Sequence, residues 1–237
     1  MSAVDNAALL VSFPVAAAIT GSTVAGLTKV SSRVASGIQH FAAGVVFAAV
    51  AVEVLPDLRE DGHIVSVVIA FGAGVAFFLA LGRFSEKLEA RKTTAIIPIG
   101  LVVAVGIDLF VDGLLVGVGA TVGLSKGIIL TIALTLEILF LSLSVAAELQ
   151  GRGASRRIAM AVPSGLGMLT AVGAIGGALA LQDAGPTVLA PVLAFGAAAL
   201  LYLVTEELLV EAHEVEETPL LASMFFLGFI VIFALSA

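Results

Sequence analysis

The sequence predicts an all-α, polytopic membrane protein, with eight transmembrane helices in one bundle and both termini outside. Three observations carry that expectation. Of 237 residues, 60% are hydrophobic and 12% charged, with a mean hydropathy of +1.18; soluble domains run at about 45–50% apolar and about 25% charged. Several apolar runs exceed the roughly 18 residues that a membrane crossing needs. Nine of the eleven Lys and Arg fall in the loops after spans one, three and five. By the positive-inside rule those loops are cytoplasmic.

Residues 1–237 read as a single transmembrane domain. The first span is expected over 8–28, retained because no basic segment precedes it. Lys29 and Arg33 lead into span two, 35–56, which ends on Glu53-Val54-Leu55-Pro56. An acidic loop and span three, 63–82, precede the basic loop of Arg83, Lys87, Arg91 and Lys92. Span four covers 95–120 and span five 124–149, followed by Arg152, Arg156 and Arg157. Spans six, seven and eight are expected over 158–181, 187–212 and 219–233. Arg59 and Lys126 are the bases on the outer side, and the loop after span seven has none.

Acids inside the spans are the functional signal. A carboxylate near a bilayer midplane costs about 2.5–3.5 kcal/mol on insertion scales, so it faces a protein interior or a cavity. Asp108 and Asp112 stand four residues apart and share a helix face. In this topology Glu137 reaches the same depth from span five. Glu53 falls near the outer face, as an entrance. Glu207, Glu211 and His213 fall toward the inner end of span seven, as an exit pathway. Glu206 points to a different face from Glu207. His40, His63 and His213 sit at span ends, where a lone imidazole is expected to be solvated.

The composition excludes several classes. There is no cysteine, hence no disulfide and no thiolate metal site. No basic stripe with interleaved aromatics supports nucleic-acid binding. No His-Glu-x-x-His helix is present, both midplane Asp residues lie on one helix, and no Ser-His pair shares a depth, so no enzyme is expected.

Taken together, the chain resembles the ZIP (Zrt/Irt-like) divalent-metal transporters over its whole length. Asp108-Leu109-Phe110-Val111-Asp112-Gly113 through Gly117 sits in the frame of the family's span-four metal motif, with Asp108 and Asp112 at the His and Glu positions. Gly44 and Glu53-Val54-Leu55-Pro56 resemble its second span. Tyr202 to His213 resembles its seventh. The resemblance implies an eight-helix ZIP-like fold in the cell membrane. It also implies metal movement toward the cytoplasm by an elevator-like shift of a helix bundle, and a homodimer. Leu109 replaces a ligating Asn, span five keeps only Glu137, and Thr170 stands where span six usually has Glu. One site remains, of Asp108, Asp112 and Glu137, with Ser142, Ser144 and Thr170 as candidate helpers. Such oxygen-only ligation tilts selectivity toward hard ions such as Mn²⁺, Fe²⁺ or Mg²⁺. The expected substrate is a divalent metal ion, Zn, Fe, Mn or Cd. Two other readings stay open at this point: a non-transporting homologue with a structural or sensing role, and a transporter of another solute using the acids as proton relays.

Overall fold

The computed structural model describes residues 2–28, 31–60, 63–90 and 96–236. Lys29, Arg91 and Lys92, used in counting bases, lie outside the described residues. The elements are α1 (Ala3–Leu27), α2 (Ser32–Ala49), a π-helical turn (Val50–Val54), α3 (Leu55–Glu60), α4 (Ile64–Ala90), α5 (Ile99–Val122), α6 (Leu124–Gly151), α7 (Arg156–Leu181), α8 (Pro186–Leu203), a second π-helical turn (Val204–Leu208), α9 (Leu209–Ala212) and α10 (Pro219–Leu235). No strand occurs among the described residues.

Several starts have a local cause. Ser2 and Asp5 form a capping box: the Ser2 hydroxyl accepts from the Asp5 amide at 3.1 Å, and the Asp5 carboxylate accepts from the Ser2 amide at 2.9 Å. Ser31, Ser155 and Thr218 cap α2, α7 and α10 with their side chains. Pro186 and Pro219 open α8 and α10, where a missing amide proton costs nothing. One helix is longer than its apolar run. The segment expected as a basic loop from Arg83 stays helical to Ala90, because Arg83, Glu86 and Lys87 are good helix formers and polarity alone does not end a helix.

Among the described residues, seven helices are long and apolar enough to cross a membrane. At 17 residues α10 is shorter; at about 1.5 Å per residue it spans about 26 Å, slightly less than a hydrocarbon core of about 30 Å. Helix α10 exposes Leu220, Phe226, Leu227, Ile230 and Phe233, side chains suited to lipid. The protein is therefore a multi-pass helical membrane protein.

The helices sort into two bundles. Helices α1, α5, α6 and α7 all contact one another, most extensively α5 with α7 and α1 with α6. The second group is α2, α4, α8 and α10, joined mainly by α2 with α10 and α4 with α8. Between bundles, α2 meets α6 and α4 meets α5.

Small residues set the closest contacts, as expected where lipid removes the hydrophobic drive for helix association. A Cβ at Gly113 would stand 2.1 Å from the Thr170 carbonyl oxygen, and one at Gly173 would stand 2.2 Å from that of Phe110. These reciprocal contacts bring the α5 and α7 backbones together beside Asp112. Gly44 and Gly228 make the same exchange between α2 and α10, against the carbonyls of Phe225 and Phe41.

A candidate carboxylate metal centre

Asp108 and Asp112 flank the middle of α5, and Glu137 is central in α6. The α5–α6 packing turns all three inward. Their exposures are 6%, 1% and 0%, so the carboxylates are removed from both lipid and water. One oxygen from each lies within 4.8 Å of the other two. Opposite ligands around one cation at about 2.0–2.6 Å lie about 4.0–5.2 Å apart, so a single ion can join the three with little side-chain rotation.

Hydrogen bonding leaves the cluster incomplete. Asp108 Oδ2, Asp112 Oδ2 and both oxygens of Glu137 are buried with no donor. One oxygen of Asp112 and one of Glu137 lie within 4.8 Å of each other. Carboxylates at that distance repel one another unless a proton or a cation stands between them. An uncompensated buried charge costs about 3–5 kcal/mol, and no Lys or Arg side chain is paired with any of the three among the described residues. Protonation or a bound cation can remove that charge. An all-oxygen donor set of this kind fits hard divalent cations.

The candidate helpers divide. Thr170 is fully buried, its hydroxyl oxygen has no partner, and it packs against Gly113, next to Asp112. Ser142 is buried on α6. Ser144 turns elsewhere and donates to Glu211 Oε2 at 2.8 Å.

Glu53 is in the first π turn, half-buried, beside Asp57 and Lys126. Lys126 pairs with both Asp57 oxygens, so the nearest base is held by Asp57. In the second π turn Glu206 is exposed and Glu207 half-buried. Glu207 is close enough for its charge to act on Asp108, Asp112 and Glu137, which makes it the next carboxylate from the cluster. Glu211 follows, held by Ser144 and by the Gln39 amide. It lines an open cavity of about 650 Å³ together with Gln39, Ser144, Glu148, Gln150 and Glu214. His213 closes α9.

Sequence reasoning missed three features. Gln39 carried no signal, being an ordinary polar residue near a span end. The π turns leave no mark in hydropathy. His40, expected to be solvated, is instead 3% exposed. It is covered because α10 packs on α2 and α9 folds over its start.

Fold and site together define a polytopic helical membrane protein with a buried, donor-poor carboxylate cluster between two of its spans. No protein-family model matches the chain, and no curated protein matches it in sequence.

Proposed function

We propose that the chain is a ZIP-like transporter that carries divalent metal cations across the cell membrane toward the cytoplasm. The observation that carries the reading is the cluster itself: three buried carboxylates from two helices, mutually within 4.8 Å, with four oxygens lacking any donor. A cation supplies the missing charge, and one that must leave again is better held by a few side chains than by a full cage. In this reading Glu53 receives the ion from outside, Asp108, Asp112 and Glu137 hold it at the midplane, and Glu207, Glu211 and His213 pass it toward the inner cavity.

The two-bundle arrangement supports an elevator-like step. The ion-holding acids belong to the α1, α5, α6 and α7 bundle, whereas Glu207 and Glu211 belong to the other. A slide of one bundle past the other moves the ion from entrance to exit without unfolding either.

Uptake into proteoliposomes tests the reading, with Mn²⁺, Fe²⁺, Zn²⁺ and Cd²⁺ offered separately. Protein with Asp108→Ala and Asp112→Ala together should lose uptake to the level of empty vesicles. Uptake equal in wild type and variant, or none in wild type for any ion, defeats the proposal. A metal-independent proton flux that both acids support would favour the proton-relay reading instead.

A further inference from the structure

A second group of ligating side chains lies apart from the carboxylate cluster, between the middle of α2 and the end of α9. His40 lies on α2, His213 ends α9, and Glu217 lies in the segment leading to α10. One ligand atom from each lies within 4.8 Å of the other two. The imidazoles meet edge to face, with centroids 5.1 Å apart.

Hydrogen bonds fix how each ring is presented. His40 Nδ1 is 2.9 Å from the Ser36 carbonyl oxygen, four residues earlier on the same helix. A carbonyl only accepts, so Nδ1 carries the proton and Nε2 keeps its lone pair. His213 repeats the pattern with the Leu209 carbonyl. Its Nε2 faces Glu217 Oε1 at 3.8 Å. A backbone carbonyl on one ring nitrogen, leaving the other free, is the usual orientation of a metal-ligating histidine.

His40 Nε2 is the telling atom. It is buried, on a side chain 3% exposed, and it has no hydrogen-bond partner. Burying an unpartnered imidazole nitrogen is unfavourable unless something fills its lone pair. The surroundings hold the ring in place, since the Ser36 hydroxyl donates to the Ala212 carbonyl at 2.7 Å and Gln39 bonds Glu211. These contacts tie α2 to α9 next to the His40 ring.

We propose that His40, His213 and Glu217 form a second metal site, of the zinc-binding type, independent of the midplane carboxylates. Two imidazoles and one carboxylate are a donor set for borderline-soft divalent ions, with water as the fourth tetrahedral ligand. Tetrahedral bonds of about 2.0–2.1 Å place ligand atoms about 3.3 Å apart. The atoms must therefore close by at most about 1.5 Å. His213 and Glu217 are exposed and can rotate to do so, while His40 stays fixed. A bound ion would fasten the segment between α9 and α10 to the middle of α2, all within one bundle.

The test uses full-length protein in detergent with Asp108→Asn, Asp112→Asn and Glu137→Gln in place, so that midplane binding does not contribute. Co²⁺ serves as the probe, since tetrahedral Co²⁺ absorbs visibly, and Zn²⁺ is then used to displace it. The proposal expects one Co²⁺ per chain with a tetrahedral spectrum. His40→Gln and His213→Gln should each weaken binding by roughly 100-fold, and Glu217→Gln by roughly tenfold, at or beyond the effect of losing an outer-shell partner. His213 and Glu217 are exposed, so their variants separate ligation from folding even if His40→Gln misfolds. Absence of a tetrahedral spectrum, or an unchanged affinity in His213→Gln, overturns the site. Uptake of metal by otherwise wild-type protein reports on the midplane cluster and is read separately.

Discussion

Replacing Gly173 by Ala tests the architecture and the site together. Gly173 faces α5, and an added Cβ would stand 2.2 Å from the Phe110 carbonyl oxygen, 2.9 Å from the Leu114 amide nitrogen and 3.1 Å from the Gly113 Cα. All three are backbone atoms, so no side chain can rotate away. Restoring an ordinary contact of about 3.4 Å means parting α5 from α7 by about 1.2 Å. Overpacking of this kind costs about 1–3 kcal/mol, partly offset by the up to about 1 kcal/mol that Ala gains over Gly in a helix. Gly176, one turn further along α7, is exposed and has nothing within 4 Å of an added Cβ, so Gly176→Ala keeps only the gain. On the scaling for 150–250 residues, each kcal/mol shifts Tm by about 2–4 °C. Gly173→Ala should therefore melt several degrees below Gly176→Ala when circular dichroism is followed in detergent. It should also weaken metal binding, because Asp112 rides on the stretch of α5 that is pushed aside. Equal melting temperatures for the two variants would refute the close approach of α5 and α7 and the argument that it positions the carboxylates.

Metal binding should release protons, because any proton on the cluster must leave before its carboxylates can bind a cation. Calorimetric titration in two buffers of different ionisation enthalpy should give different heats, and affinity should fall as pH is lowered; equal heats would refute the linkage. Ser144→Ala removes the donor to Glu211 without touching the midplane acids. It should change the uptake rate severalfold and leave metal affinity within about twofold, read by uptake kinetics beside calorimetry. Ser155→Cys, exposed at the start of α7 in a chain with no other cysteine, should be labelled by an impermeant thiol reagent only from the cytoplasmic side. Labelling from outside reverses the proposed topology. Lys126→Met breaks the Asp57 pair, but Lys126 is about one-third exposed, so stability should change by no more than about 1 kcal/mol.

Much of the fold was legible because bilayer physics writes it in composition. The apolar runs marked the helices, and Pro219 marked the start of the last one. Asp108, Asp112 and Glu137 were legible because a carboxylate is conspicuous among Val, Leu and Gly, and a four-residue spacing fixes a face. What escaped notice depended on contacts between distant segments. Ser144 looked like a midplane helper from its place on α6, yet its hydroxyl reaches Glu211 because α9 comes across at that level. His40 looked like an interfacial residue, and only the folding of α9 and α10 against α2 buries it. The end of α4 was misplaced because charge stops an apolar run without stopping a helix.

The paired π turns give two spans a built-in change of phase. In each, an amide reaches back five residues rather than four: Leu55 to the Val50 carbonyl and Leu209 to that of Val204. Such a turn holds one residue more than an α-helix would need there. Everything beyond it is therefore turned by about 100° relative to an unbroken α-helix. Deleting Thr205 alone would leave hydropathy and span length almost untouched. It would let the turn close as ordinary α-helix, with Leu209 bonded to the Val204 carbonyl four residues back, and so leave Glu211 on Gln39 and Ser144 and His213 beside His40. Each π turn is thus a place where the span can lose one residue without turning the helix beyond it, a property invisible to a hydropathy profile.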